Sequence, residues 1–432
     1  MSKSGKVEKI QSIRGMNDLV GREASRWGAW EQTIRRVLKS FHYQEIRTPV
    51  LEKTELFVRG VGGESDIVHK EMYTFLDRSE ESLTLRPEGT APVVRALIQH
   101  HFHLESGGNR VFYFGPMFRY ERPQKGRTRQ FTQFGIEFFD DPTPMADAET
   151  LILVQTVFNE LGVMDYTIHL NSIGDAESRE LYTKELKNYL NKHQGDLDED
   201  SRRRIETNPL RVWDSKIEST QEILTGAPKI SDFLNKESRE HESRLQSLLK
   251  AAGVSFEMNP KLVRGLDYYS KTVYEIQGNS PALGSQNALG GGGRYDDLVA
   301  LLGGKPTPAV GFASSFERLS LAIPDRDEKR RSGAYVAFVG EETSLQDEAI
   351  RILGLLWGLG VRATADYTKK SFKSHLKSAD RTSSRYALII GGDELAKKEI
   401  QIKDLESGEQ VPCPLSSSLR ELEEWVQKSD LS

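Results

Sequence analysis

A single cysteine, Cys413, is the chain's entire supply of thiols. One thiol cannot close an internal disulfide or build a cysteine-cluster zinc site, so both are excluded. Set in "VPCPL", it reads as an inert thiol at a strand end. Long apolar runs are scarce as well: none approaches the ~18 residues that a membrane-spanning helix needs. The start, "MSKSGKVEKIQSIRG", has lysines but no apolar core of a secretory signal. A cytoplasmic protein with no membrane partner is expected. Positive charge is in short supply too, with 59 Lys and Arg against 64 Asp and Glu and a net charge of -5. That balance excludes non-specific nucleic-acid binding over the whole surface, which relies on a basic footprint to neutralise phosphates.

The basic residues are instead concentrated in two places. In "FRYERPQKGRTRQF", Arg119, Arg122, Lys125, Arg127 and Arg129 crowd around one acid, Glu121. In "KKSFKSHLKSADR" the run is Lys369, Lys370, Lys373, Lys377 and Arg381. By itself the second run reads as a solvated helix face.

The chain has 432 residues, 37% hydrophobic and 28% charged, which suits more than one core and two or three domains. Trp30, Ile34, Val37, Leu38 and Phe41 recur at helical spacing, and "YQEIRTPVLEKTELF" after them reads as one long strand containing Pro49. Short strands follow at "MYTFLD" and "SLTLR", then a helix near Thr90 and the strands "RVFYFGPMFRY" and "RQFTQFGIEFFD". The Pro, Gly and charges of "ERPQKGRT" between this last pair mark an exposed hairpin loop, hence antiparallel sheet. From about Ala176 to Gly253, charged Leu-spaced segments predict a helical insertion. Sheet resumes at "KLVRGLDYYSKTVYEIQG" and "ALGGGGRYDDLVALL", and "GFASSFERLSLAI" is expected to close this part as a helix.

After the charged linker, residues 326–332, strands alternate with helices from "AYVAFVG" to "YALIIGG", predicting a small parallel sheet covered by helices over 333–432. The expected fold is therefore an α+β domain over 1–325, on a mixed and mainly antiparallel sheet with a helical insertion, plus a small C-terminal α/β domain.

Side chains alternate faces along a strand, so "FTQFGIEFF" presents Thr132, Phe134, Ile136 and Phe138 on one face. The other carries Phe131, Gln133, Gly135, Glu137 and Phe139. An amide and a carboxylate on so apolar a strand cost stability unless the fold or a ligand pairs with them. A hairpin would hold Arg119 near both. Glu88, in "TLRPEGTAP", reads either as part of a helix cap centred on Thr90 or as an anion that grips an ammonium group. "GGGGRY" lacks the Gly-Lys-Ser/Thr of a phosphate loop and the spacing of a dinucleotide motif. Its glycines clear room for a ligand or a neighbouring backbone. Arg318 sits beside the apolar stripe of Phe312, Phe316 and Leu319, and Arg264 stands four and five residues ahead of Tyr268 and Tyr269 in an apolar segment. His100, His101 and His103 have no acidic or thiol companion and read as a helix end, with no metal site.

Together these residues resemble the class II aminoacyl-tRNA synthetases and, within them, the histidyl-tRNA synthetase family. The stretch with Pro49 is similar to the first motif, which builds a dimer interface; "FRYERPQKGRTRQFTQFGIEFF" is similar to the second, and "GFASSFERL" to a third that is short of glycines here. "LVRGLDYY" and "ALGGGGRYDDL" resemble the family's two histidine-specific stretches, and the resemblance spans nearly the whole chain.

The resemblance implies ATP-dependent ligation of L-histidine to its cognate tRNA through histidyl-adenylate, releasing AMP and pyrophosphate, in a homodimer. Arg264, Arg119 and Arg318 are implied to be catalytic, with Mg²⁺ carried by the ATP phosphates. Glu88, Gly89, Thr90, Gln133, Glu137, Arg264, Tyr268, Tyr269 and Tyr295 are implied to bind histidine, Glu137 pairing with Tyr269 to read the imidazole. Arg119, Glu121, Arg127, Phe131, Gln133 and Arg318 are implied at ATP, Phe131 stacking on adenine. Arg122, Gln124, Lys125 and Arg129 would reach tRNA, and the C-terminal domain would bind the anticodon with the Lys369 to Arg381 run facing RNA. Two other readings are weaker. A regulatory paralogue of the ATP phosphoribosyltransferase system would lack the anticodon-binding domain and usually the arginines, and a plain RNA-binding scaffold would not need three arginines and a polar strand face converging on one pocket.

Overall fold

The computed structural model describes residues 9–63, 65–101, 109–263, 268–284, 287–324, 331–340, 342–368, 371–416 and 418–429. They fall into two compact units, Met1–Pro324 and Asp325–Ser432. The first begins with α1 (Gly21–Ser40), β1 (Gln44–Glu45), β2 (Leu51–Lys53), α2 (Thr54–Val61), β3 (Tyr73–Leu76), β4 (Ser82–Leu85) and α3 (Thr90–His100). Then come β5 (Arg110–Phe118), β6 (Gln130–Phe139), α4 (Pro144–Leu161), β7 (Tyr166–Ser172), and the helices α5 (Ala176–Lys192), α6 (Glu199–Thr207), α7 (Glu218–Thr225) and α8 (Lys236–Ala251). The unit ends with β8 (Glu257–Met258), β9 (Ser270–Gly278), β10 (Ala288–Arg294), α9 (Leu298–Leu301), β11 (Ala309–Ser315) and α10 (Phe316–Ala322).

Eight of these strands form one sheet in the order β1-β5-β6-β11-β10-β9-β7-β8. The short outer strands run parallel to their neighbours, β1 to β5 and β8 to β7, and every other pairing in the sheet is antiparallel. Alternation along β6 divides its side chains cleanly: Phe134, Ile136 and Phe138 enter the main core with Trp27, Ile34, Val37 and Leu38 of α1 and much of α4. The opposite face of β6 is the floor of the candidate site. Between β7 and α8, the helices α5, α6 and α7 close around their own core of Tyr182, Leu186, Leu190, Ile205 and Leu224. Helix α8 instead sends Leu245 and Leu249 into the main core.

Three sequence expectations are corrected. The stretch through Pro49 is not one long strand: it breaks into β1, β2 and the start of α2. Proline has no N–H for a ladder, and the Arg86 guanidinium takes the carbonyl of Thr48 at 3.0 Å. From Thr54 the buried residues Leu56, Phe57, Gly60 and Val61 follow helical spacing. Likewise "GFASSFERLSLAI" is mostly split: Gly311 to Ser315 belong to β11, and only Phe316–Ala322 is helix. Pairing with β6 on one side and β10 on the other outweighs the helical spacing of Phe312, Phe316 and Leu319.

The third correction lies in the second unit. Its strands are β12 (Ala334–Val339), β13 (Ala363–Thr364), β14 (Tyr386–Gly391), β15 (Glu399–Asp404) and β16 (Gln410–Pro414), in the order β13-β12-β14-β15-β16. Only β13, β12 and β14 run parallel; β15 and β16 return antiparallel, so the sheet is mixed. Helices α11 (Thr343–Gly358), α12 (Phe372–Arg381), α13 (Gly392–Lys397) and α14 (Arg420–Lys428) complete the unit. Cys413, in β16, is buried in its core.

Candidate active site

One cavity gathers most of the polar residues singled out from the sequence. Strand β6 contributes Phe131, Gln133 and Glu137; Arg119 follows β5, and Glu121 and Arg127 come from the β5–β6 loop. Glu88 and Thr90 enter at the start of α3, Tyr268 and Tyr269 just before β9, Tyr295 after β10, and Arg318 from α10. Arg264 lies outside the described residues.

At one end Glu137 is 1% exposed. Its carboxylate accepts from the Thr90 hydroxyl at 2.7 Å and, across a short contact, from the hydroxyl of Tyr295. Burial pushes the Glu137 carboxyl up to about 8, the two hydrogen bonds opposing the rise and the Glu88 charge adding to it. Burial likewise raises Tyr295 and Tyr268. The Tyr268 ring meets Tyr295 edge-on at 5.5 Å and lies 4.8 Å from Tyr269. The tyrosine hydroxyl bonded to Glu137 is that of Tyr295. Strand order accounts for the contact: β11 lies between β6 and β10, and the residue just after β10 reaches across it to Glu137.

Glu88 accepts from the backbone N–H groups of Thr90 and Ala91, each at 2.7 Å. The cap of α3 is thus centred on Glu88, with Gly89 at the N-cap position, which corrects the assignment to Thr90. This frees the Thr90 hydroxyl for Glu137. Burial raises the Glu88 carboxyl, opposed by those backbone bonds. Gly89 is a packing position, since a Cβ there would sit 2.2 Å from the Tyr113 ring.

At the other end three guanidinium groups converge. Arg119 donates from Nε to the Pro87 carbonyl at 2.8 Å and lies 5.4 Å over the Phe131 ring. Arg127 pairs with Glu121. Arg318 donates to the Ala288 carbonyl at 2.9 Å, so it does not snorkel to solvent. Its guanidinium is held below its ordinary range by burial first and then by the Arg127 and Arg119 charges. Like charges so close are unfavourable until an anion joins them. Between the two ends, the buried Gln133 Oε1 has no hydrogen-bond partner among the described residues.

The glycines of β10 make room for neighbouring strands. A Cβ on Gly292 would come 2.0 Å from the Gly311 carbonyl oxygen, and one on Gly290 would meet the Phe312 ring at 2.6 Å. Arg122, Gln124 and Lys125 are exposed on the β5–β6 loop, away from the cavity lining. Arg129 is half-buried, 4.1 Å over Tyr120. His100 ends α3 and His101 is its left-handed cap; His103, Lys369 and Lys370 lie outside the described residues. Among the described residues no group of three or more His, Cys, Asp or Glu could hold a metal ion, and no helix is long and apolar enough to cross a membrane. Tyr113 and Glu275 are among the lining residues that the sequence reading did not single out. Tyr113 pairs with Gly135 across the hairpin, and a bulky ring opposite a glycine was the available signal.

A mainly antiparallel sheet with guanidinium groups and a buried carboxylate set over one face defines a class II aminoacyl-tRNA synthetase. The histidyl-tRNA synthetase family profile matches residues 15–319, and an anticodon-binding domain profile matches 334–428. The Histidine--tRNA ligase of Thermosynechococcus vestitus is 44% identical over 412 residues, covering 95% of this chain and 96% of that protein. That of Halorhodospira halophila is 48% identical over 406 residues, covering 93% and 95%. The crystal structure of apo S. aureus histidyl-tRNA synthetase superposes with a TM-score of 0.80 at 33% identity, covering 96% of this chain and 99% of that one. The chain belongs to the histidyl-tRNA synthetase family, whose members charge tRNA with histidine.

Proposed function

We propose that the chain joins L-histidine to its cognate tRNA in two steps within this cavity. The histidine carboxylate attacks the α-phosphate of ATP, giving histidyl-adenylate and pyrophosphate, and the acyl group then passes to the terminal adenosine of tRNA, releasing AMP. The observation that carries this reading is the pairing of ends: a buried carboxylate with hydroxyl partners at one, and Arg119, Arg127 and Arg318 at the other. A neutral imidazole offers one N–H and one bare nitrogen, matching an acceptor such as Glu137 and a tyrosine hydroxyl. Glu88 and Thr90 suit the α-amino group, and Gln133, on the β6 floor of the cavity, suits the carboxylate side.

Adenylate formation spreads negative charge over a phosphoryl group, and fixed guanidinium groups stabilise that charge without losing a proton. Arg119 and Arg264 are assigned to the α-phosphate, Arg318 and Arg127 to the remainder of ATP, and Phe131 to the adenine face. Glu121 and Glu275 line the same cavity, and these are the carboxylates that would hold a phosphate-bound Mg²⁺. The ion supplies charge neutralisation on the outer phosphates.

Arg122, Gln124, Lys125 and Arg129 are assigned to the acceptor end of tRNA, and the second unit, residues 333–432, to the anticodon. A homodimer is part of the reading: Leu51 is 41% exposed, Phe75 44% and Leu76 65%, apolar side chains on the two outer strands of the small sheet β2-β4-β3 that a second copy would cover. The test is amino-acid-dependent exchange of pyrophosphate into ATP, measured with each of the twenty amino acids. Exchange with histidine alone is expected; absence of exchange, or equal exchange with another amino acid, overturns the reading.

A further inference from the structure

A side chain of the insert between β7 and α8 reaches the amino-acid end of the cavity. Arg179 lies on α5, with its guanidinium pointing out of the insert. It donates to the backbone carbonyl of Tyr269 at 2.6 Å, and a second nitrogen of the group lies 3.8 Å from the Asp297 carboxylate. Tyr269 belongs to one stretch that lines the histidine end, and Asp297 comes two residues after Tyr295, which belongs to the other. One guanidinium therefore spans both.

The two contacts are unequal. Asp297 is 70% exposed, so its ion pair contributes little in water. The Tyr269 carbonyl is different: its residue is 6% exposed, and it accepts from a charged donor. Tyr269 also forms a wall between two cavities, the candidate active site on one side and a pocket on the insert lined by Arg179 on the other. Displacing that carbonyl moves a shared wall.

Arg179 is itself held in place. The Asp175 side chain caps α5 by accepting from Ser178 N at 2.9 Å, and Ser178, Tyr182 and Leu186 are buried along the helix. The turn before α5 is stitched to the start of β9 by two backbone bonds of 2.7 Å, Ile173 N to Lys271 O and Lys271 N to Gly174 O. Helix and carbonyl thus share a rigid frame, and a donor on the second turn of α5 fixes what that frame carries.

We infer that Arg179 is a positioning residue for the histidine pocket, setting Tyr269, and through it Tyr268 and Tyr295, from the insert. This rests on the proposed reading of the cavity as the histidine site. It gives the insert a role in amino-acid binding that acts with no tRNA present.

The experiment is pyrophosphate exchange on the full chain without tRNA. Arg179→Met keeps the length and packing of the side chain and removes every donor. It is expected to raise the histidine KM about tenfold, the effect of losing one charge-assisted hydrogen bond that orders the pocket. The ATP KM should stay within about twofold and the melting temperature within a few degrees, a split that general damage to the fold would not produce. Arg179→Lys keeps the charge but not the fork and should fall between, at about threefold. Lys187→Ala, on the same helix and paired with Glu206 inside the insert, should leave both KM values unchanged. An unchanged histidine KM in Arg179→Met overturns the inference, as does a rise in both KM values by the same factor. If that variant does not fold, Arg179→Lys decides, and a wild-type histidine KM there overturns it. Absence of histidine-dependent exchange in the wild type would sink the functional reading instead, so the two failures are distinguishable.

Discussion

Tyr295 donates its hydroxyl proton to the Glu137 carboxylate inside a site from which both are almost fully excluded from water. The contact joins the residue after β10 to the C-terminal part of β6, with β11 between them in the sheet. It also carries a measurable pH dependence. The Glu137 carboxyl stands at about 8 in the folded chain against an ordinary 4.5. The folded state therefore holds a proton that the unfolded chain releases. The stability from that proton is complete below the ordinary value and is lost as pH rises through the folded one. Glu137→Gln mimics the protonated carboxyl and has nothing to lose. Between about pH 5 and about pH 9 the wild-type melting temperature should fall several degrees further than that of the variant. Parallel curves in differential scanning calorimetry would contradict this assignment.

Gly311 lies opposite Glu137 in the β6–β11 ladder, and a Cβ there would sit 1.9 Å from Glu137 Oε2 and 2.8 Å from the Ile136 carbonyl oxygen. Gly311→Ala must push the carboxylate away from Thr90 and Tyr295. Overpacking of this kind costs about 1–3 kcal/mol. Denaturant unfolding should register that loss, and the histidine KM should rise more than the ATP KM.

Arg119→Ala removes a fixed cation from the end assigned to phosphate. A group that stabilises developing charge contributes about 10²–10³ in rate when removed. Single-turnover adenylate formation should slow by that factor while histidine affinity, measured by calorimetry, changes by less than about threefold. Equal losses in rate and histidine affinity would place Arg119 at the amino acid instead.

The two units have separate cores, Ile323 packing in the first and Ala334 in the second. A chain ending at Ile323 should keep histidine-dependent pyrophosphate exchange within a few-fold of the full chain. Charging of tRNA should fall by about 10²-fold, because one of two linked binding surfaces is gone. Full charging by the shortened chain would assign no RNA-binding role to the second unit.

Much of this organisation is legible in local pattern. The period-two alternation of "FTQFGIEFF" separated Phe134, Ile136 and Phe138 from Gln133 and Glu137, and the structure puts the first set in the core and the second in the cavity. Helical spacing located α1, and the turn residues of "ERPQKGRT" located the β5–β6 hairpin. Pattern misled where two periods fitted the same letters. Phe312, Phe316 and Leu319 satisfy a helix, yet Phe312 is in a strand because partners wait on both of its sides. Antiparallel β15 and β16 were missed for the converse reason, as the alternation of strand and helix before them suggested a wholly parallel sheet.

The amino-acid sequence by itself determined what repeats along the chain or matches a family motif: the strand faces, the amphipathic helices, the arginines and carboxylates available for chemistry, and the absence of disulfides. Tertiary structure alone decided which of those groups meet. That Tyr295 reaches Glu137, that Glu88 caps α3 and leaves the Thr90 hydroxyl to Glu137, and that Arg179 holds the Tyr269 carbonyl across 90 residues all follow from strand order and helix packing. Local periodicity is set by backbone geometry within a few residues. A contact between distant segments is set by how whole elements bury their apolar faces together, and no short window of sequence contains it.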